Sequence, residues 1–135
     1  MSLQKLLIPS KTTWVEYPGL HGFEVQMAYL TRDELMKLRS KALNNKINRK
    51  TRQVEEEVDS DLFQTLYIAA VVKDWKGLKY KYLNKLAPFD ISALEPEDEE
   101  PYSEESAEVL MKNSSDFDSF VSNTLEEVEN FTAPA

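Results

Sequence analysis

The sequence predicts a mostly α-helical single domain of four to five helices with an N-terminal β-hairpin, and an α+β arrangement is the alternative. A chain of 135 residues fits one domain. Hydrophobic residues make up 41% of it, which is enough to form a core. Most of residues 31–131 show apolar residues at helical spacing, whereas residues 12–30 show strand and turn residues. The single domain is therefore predicted to span residues 1–131.

The β-hairpin is predicted at residues 12–30. Residues 12–17 and 23–30 are rich in β-branched and aromatic residues, and the second segment begins with alternating apolar and polar residues. Residues 18–22 contain a proline and two glycines, which are typical of a turn. Because a two-stranded ribbon is marginally stable alone, its apolar face must pack on the helices or join a neighbouring subunit's sheet.

A helical core is predicted at residues 31–86. Thr31 and Glu34 have the spacing of a capping box, which indicates that the first helix begins there. This helix should end near Asn44, where helix-disfavouring residues follow one another. Residues 46–57 are polar throughout, so we interpret them as an exposed, mobile loop.

The second helix of this core is predicted to run from residue 59 or 60 to Trp75. Its apolar residues extend well beyond one stripe, so we expect it to be the central and most buried helix. Gly77 can end it in a left-handed cap. A short amphipathic helix then continues to Leu86.

The last third of the chain is predicted to contain an acidic connector at 87–102, C-terminal helices at 103–131 and a flexible tail at 132–135. The helices carry the clearest helical stripe in the sequence. We interpret this stripe as core or, alternatively, as the surface that binds a partner. It consists of Phe117, Phe120, Val121, Leu125, Val128 and Phe131.

Charge is unevenly distributed along the chain, whose formal net charge is −8. Residues 1–86 contain 15 basic and 10 acidic residues, a net charge of +5, whereas residues 87–135 contain one lysine and 14 acids, a net charge of −13. This pattern argues against nucleic-acid binding, which requires a basic surface. It suits solubility, attraction between the halves, or repulsion of non-specific partners.

The sequence shows no pattern of catalytic, cofactor-binding or metal-binding residues. None of the three glycines lies in a phosphate-binding fingerprint. Cysteine is absent, and the single histidine, His21, is predicted in the hairpin loop. The acids at residues 97–100 lack the alternation of a calcium-binding loop. We therefore expect no enzyme activity, no catalytic residue, no cofactor and no metal.

Two further residue sets have a structural and a functional interpretation. The basic stretch at residues 46–52 could contact phosphate, but it lacks interleaved aromatic residues. An aromatic set could form a ligand platform, although its helical spacing favours core packing. That set is Tyr67, Trp75, Tyr80 and Tyr82.

No segment approaches the roughly 18 apolar residues that span a bilayer, and no signal peptide is visible. We therefore expect no membrane contact.

Several short motifs follow one another in a recognisable order. They are Tyr17-Pro18-Gly19, Gly22-Phe23-Glu24-Val25, Tyr29 to Leu35, Lys73 to Leu78, Pro101 to Glu105, and Asn113 to Asp118. In this order, over about residues 5–131, they resemble the tail assembly chaperones of long-tailed (siphovirus-type) bacteriophages.

The resemblance implies a protein that works in the cytoplasm of the infected bacterium. It would bind the tape measure protein, keep it soluble while tail tube protein assembles around it, and be absent from the mature virion. A second, longer product made by ribosomal frameshifting is a further expectation from the family, and homo-oligomerisation is left open. The family has no catalytic residues to transfer.

The main alternative is a structural virion component, such as a head-tail joining or tail completion protein. In that protein the hairpin would build a sheet between subunits. An acidic inhibitor that mimics nucleic acid is a third reading. It requires an ordered array of acids, whereas many acids here lie in the predicted connector.

Overall fold

The computed structural model describes residues 3–6, 11–47, 52–127 and 131. These residues form helices and two antiparallel sheets. The elements are α1 (Leu3–Leu6), β1 (Thr12–Glu16), β2 (Glu24–Ala28), α2 (Arg32–Lys41), β3 (Leu43–Ile47), β4 (Val54–Val58), α3 (Ser60–Val71), β5 (Val72–Lys76), α4 (Tyr80–Leu86), α5 (Glu104–Asn113) and α6 (Ser115–Glu126).

The fold class is α+β, so the prediction of a mostly α-helical domain is wrong and its stated alternative is correct. The end of the predicted second helix is β5, which pairs with β2. Part of the predicted mobile loop forms β3 and β4, which pair with each other. Residues 48–51 of that loop lie outside the described residues.

The predicted N-terminal hairpin is confirmed, since β1 and β2 pair in antiparallel register. β5 joins the other side of β2, so β2 is the central strand of three. The register places Val15, Val25 and Trp75 side by side on one face of the sheet. Val25 and Trp75 are buried there, whereas the opposite face is largely solvated. A sheet with one buried and one solvated face is typical of antiparallel proteins.

Helix α2 begins at the predicted capping box. The Thr31 hydroxyl accepts a hydrogen bond from the Glu34 backbone N–H at 3.2 Å, and the Glu34 carboxylate accepts one from the Thr31 backbone N–H at 3.4 Å. Both bonds satisfy donors that a helix start otherwise leaves unpaired.

Replacing Thr31 with alanine is expected to lower the free energy of unfolding by about 1 kcal/mol, because the cap is lost. Urea denaturation would measure this change. Thr31→Ser keeps the hydroxyl and should retain most of the stability. Equal losses for the two variants would show that the hydroxyl does not stabilise the helix.

Helix α3 is central but is not the most buried helix. It packs against α2, α5, β5 and β2, as its predicted position requires. However, only Ile68 and Val71 are buried on it, and Leu62 is 40% exposed. One side of α3 therefore faces solvent, which corrects the prediction that it is the most buried helix.

Helices α3 to α6 and the inner face of the sheet share one hydrophobic core. Its buried members are Leu20, Phe23, Val25, Met27, Ile68, Val71, Val72, Trp75, Leu78, Tyr82, Leu83, Leu86, Ala107, Leu110, Met111, Phe117, Val121 and Phe131. Among the described residues, no helix is long and apolar enough to cross a membrane.

Candidate functional site

The predicted partner-binding stripe lies mostly in the core. Its members are the buried Phe117, Val121 and Phe131, the half-buried Phe120 and Leu125, and Val128, which lies outside the described residues. α6 would have to leave the core before its buried members could contact a partner. The binding role of this stripe therefore stays a prediction, and we looked for an accessible site elsewhere.

An apolar groove of about 290 Å³ lies between α4, residues 89–100 and α5. We name it the connector groove. Its apolar lining consists of Trp75, Leu78, Leu83, Phe89, Ile91, Leu94, Val109 and Leu110. Leu94 is 42% exposed and Val109 is 40% exposed, so the groove offers apolar surface to solvent.

Backbone hydrogen bonds fasten the acidic connector over α4. The Tyr80 N–H donates to the Asp98 carbonyl at 2.8 Å, and the Glu100 N–H donates to the Leu78 carbonyl at 2.8 Å. The connector thus has little regular structure, but its path along one side of the groove is fixed.

Side chains fasten the connector as well. The indole Nε1 of Trp75 donates to the Glu100 carbonyl at 2.9 Å, and the Tyr102 hydroxyl donates to the Val72 carbonyl at 2.7 Å. Burial, followed by the nearby Glu104 carboxylate, raises the pKa of Tyr102, so this hydroxyl keeps its proton at neutral pH. The bond to the Val72 carbonyl also joins the connector to the start of β5.

Several connector acids have structural partners. The Glu97 carboxylate accepts hydrogen bonds from Lys81 at 2.7 Å and from Lys79 at 3.0 Å, and both bonds lower the pKa of Glu97. The Glu100 carboxylate accepts a hydrogen bond from the Tyr80 hydroxyl at 3.0 Å, which raises the pKa of Tyr80. Glu97 therefore neutralises part of the charge of Lys79 and Lys81.

Three carboxylates, some of which also accept hydrogen bonds within the protein, give the groove an acidic rim. Asp90, Glu100 and Glu105 line it, and the described residues of its lining include no lysine or arginine. An apolar floor with a carboxylate rim suits the apolar face of a polypeptide that carries basic residues beside that face. The connector groove is therefore a candidate protein-binding site.

The other residues that the sequence singled out are dispersed. The His21 side chain is fully exposed, with Nδ1 3.7 Å from a carboxylate oxygen of Glu16. Trp75 and Tyr80 line the connector groove. Tyr67 stacks on Phe63 elsewhere. The basic stretch at 46–52 lies largely outside the described residues.

Sequence reasoning missed the connector groove. One signal was available, because Phe89, Ile91 and Leu94 are apolar residues in an otherwise acidic segment. A solvated linker has no need of such residues, so their presence indicates packing against the folded body.

The comparisons with known proteins place this α+β chain among phage-derived proteins. A family model described as YdaY prophage protein matches residues 31–135. The chain belongs to the YdaY prophage protein family. The match includes every residue of the connector groove and leaves β1 and β2 outside it. No curated protein and no solved structure matches the chain.

Proposed function

We propose that this phage protein is a tail assembly chaperone whose connector groove binds the tape measure protein. It acts in the cytoplasm of the infected bacterium, keeps its partner soluble until tail tube protein assembles around it, and leaves before the virion is complete. The observation that carries the proposal is the accessible apolar groove with an acidic rim. Family membership supports the phage setting, and the resemblance of the motif order supports the tail role.

The physical argument is that of helix-in-groove recognition. A long helical partner with one apolar face aggregates unless that face is covered, and a groove can cover it through a few anchor side chains. The carboxylates of the rim would favour segments in which lysine or arginine flanks the anchors. The net charge of −8 then keeps the complexes apart in solution. Reversible binding of this kind needs no catalytic group.

Co-expression with the tape measure protein of the same genome tests the proposal. The expected result is that the tape measure protein moves from the insoluble to the soluble fraction and co-purifies with the chain. If the chain folds but the partner stays insoluble and unbound, the proposed function is wrong.

Leu94→Asp should weaken binding of the tape measure protein by about tenfold or more, because it places a carboxylate on the apolar lining. Leu62→Asp is the matched control, since Leu62 is 40% exposed and lies outside the groove. Calorimetric titration with the soluble tape measure segment would compare the two variants. Circular dichroism would verify that both are folded. Equal affinities would exclude the connector groove as the binding site.

One observation favours the alternative of a structural virion component. β1 lies at the edge of its sheet, where it could pair with a strand from another subunit. Mass spectrometry of purified virions distinguishes the two functions. Stoichiometric amounts of the chain in virions would support the structural role, and its absence would support the chaperone.

A further inference from the structure

The two outer edges of the three-stranded sheet differ. The connector contacts the β5 edge through the Tyr102 hydroxyl, which donates to the Val72 carbonyl. β1 forms the other edge, and among the described residues its strand partner is β2 alone. One edge therefore contacts the protein's own chain, whereas no second described strand pairs with the other.

The hydrogen-bond pattern shows which groups of β1 point outward. The Tyr17 N–H donates to the Phe23 carbonyl at 2.8 Å, and the Lys11 carbonyl accepts from the Tyr29 N–H at 3.1 Å. Alternate residues of an antiparallel strand direct their backbone groups to the same side. The N–H and C=O groups of Thr12, Trp14 and Glu16 therefore point away from β2.

In the part of the chain that the structure describes, no backbone hydrogen bond to another element involves these three residues. The strand contains no proline, glycine, lysine or bulge, each of which protects many edge strands. Its β-branched and aromatic residues instead favour strand pairing.

A groove of about 500 Å³ lies beside this edge, between the end of β1 with its turn and α6. Its lining combines apolar side chains with carboxylates. The residues are Val15, Glu16, Tyr17, Pro18, Asp116, Ser119, Phe120, Asn123, Thr124 and Glu127. A strand added to β1 would direct alternate side chains toward this groove, because side chains in a sheet alternate between its faces.

We propose that β1 binds an extended segment of a partner protein as a fourth strand of the sheet. The segment alternates apolar residues, which face the groove beside α6, with lysine or arginine, which lie on the opposite face of the sheet and complement Glu16. A second copy of this chain is a poorer occupant, because it carries the same carboxylates and the same net charge of −8. The site is separate from the connector groove, so it extends beyond the proposed function.

A short synthetic peptide that alternates valine with lysine tests the proposal on the full chain. Binding should slow amide hydrogen exchange at Thr12, Trp14 and Glu16 and leave exchange in α5 unchanged. Two N-methylated peptides provide the control. In one peptide the methyl groups replace the backbone N–H hydrogens that face β1, and in the other they replace those that face away. Only the first peptide should lose binding. No binding, or equal binding of the two methylated peptides, would overturn the proposal.

Trp14→Pro tests the same edge from the protein side. Proline at this position removes an outward N–H and keeps the hydrogen bonds to β2, as is tolerated on edge strands. We expect the peptide affinity to fall by about tenfold or more, whereas Trp14→Ala retains binding. Equal peptide affinities of Trp14→Pro and Trp14→Ala would overturn the proposal. The proposal would also be overturned if the wild-type chain sediments as a dimer and Trp14→Pro abolishes that dimer. If Trp14→Pro fails to fold, the methylated peptides still decide the question.

Discussion

Replacing Phe117 with alanine is expected to lower the free energy of unfolding by about 3–5 kcal/mol, because it leaves a cavity in the core. Phe117 is fully buried. Its ring centroid lies 6.4 Å from those of Phe23, Trp75 and Tyr17. It therefore joins α6 to the hairpin and to β5.

Urea denaturation of Phe117→Ala would measure this loss. Ser119→Ala is the control on the same helix, and we expect it to change stability by less than about 0.5 kcal/mol because Ser119 is exposed. The experiment also tests the two interpretations of the α6 stripe. Unchanged stability combined with lost partner binding would contradict the core assignment and make the stripe an interface.

The features that the sequence predicted correctly depend on local chemistry. The capping box at Thr31 needs only residues three apart, and the hairpin needs only a turn between two strand-forming segments. The start of α6 also depends on local chemistry, because its N-cap is Ser114. The Ser114 hydroxyl accepts a hydrogen bond from the Phe117 N–H at 3.1 Å.

The errors in the fold prediction arise where a distant segment decides the local structure. Val72–Lys76 continues the apolar pattern of α3, so the sequence alone favours a longer helix. It becomes a strand because it pairs with β2 about 50 residues earlier, and strand formation depends strongly on such context. A bulge accompanies this pairing, since Gln26 pairs with Asp74 and Met27 with Val72.

The connector groove was unpredictable for the same reason. It exists because the Trp75 indole holds the carbonyl of Glu100, 25 residues further along the chain. Sequence patterns reveal the apolar residues of the connector but not the wall against which they pack. The sequence shows the acidic composition of the connector, but it does not show that these acids form the rim of a groove.

Gly77 allows a close approach between two turns. This close approach predicts a large loss of stability when Gly77 is replaced. Its φ is +75°, a conformation that costs other residues about 1–2 kcal/mol. A Cβ at this position would also overlap the carbonyl oxygen of Gly22 and lie 2.7 Å from its carbonyl carbon. Gly77 was predicted to end a helix, but it follows β5 and packs against the hairpin turn.

Gly77→Ala should therefore lower the free energy of unfolding by about 3 kcal/mol or more, since backbone strain and overlap with a backbone carbonyl both contribute. Gly19→Ala separates the two causes. Gly19 has a φ of +83°, but a Cβ there would have no neighbour within 4 Å, so only the backbone strain of about 1–2 kcal/mol applies. Urea denaturation of both variants measures the difference. Equal losses would show that the hairpin turn moves away from Gly77 at little cost, and that the contact between the two turns does not stabilise the fold.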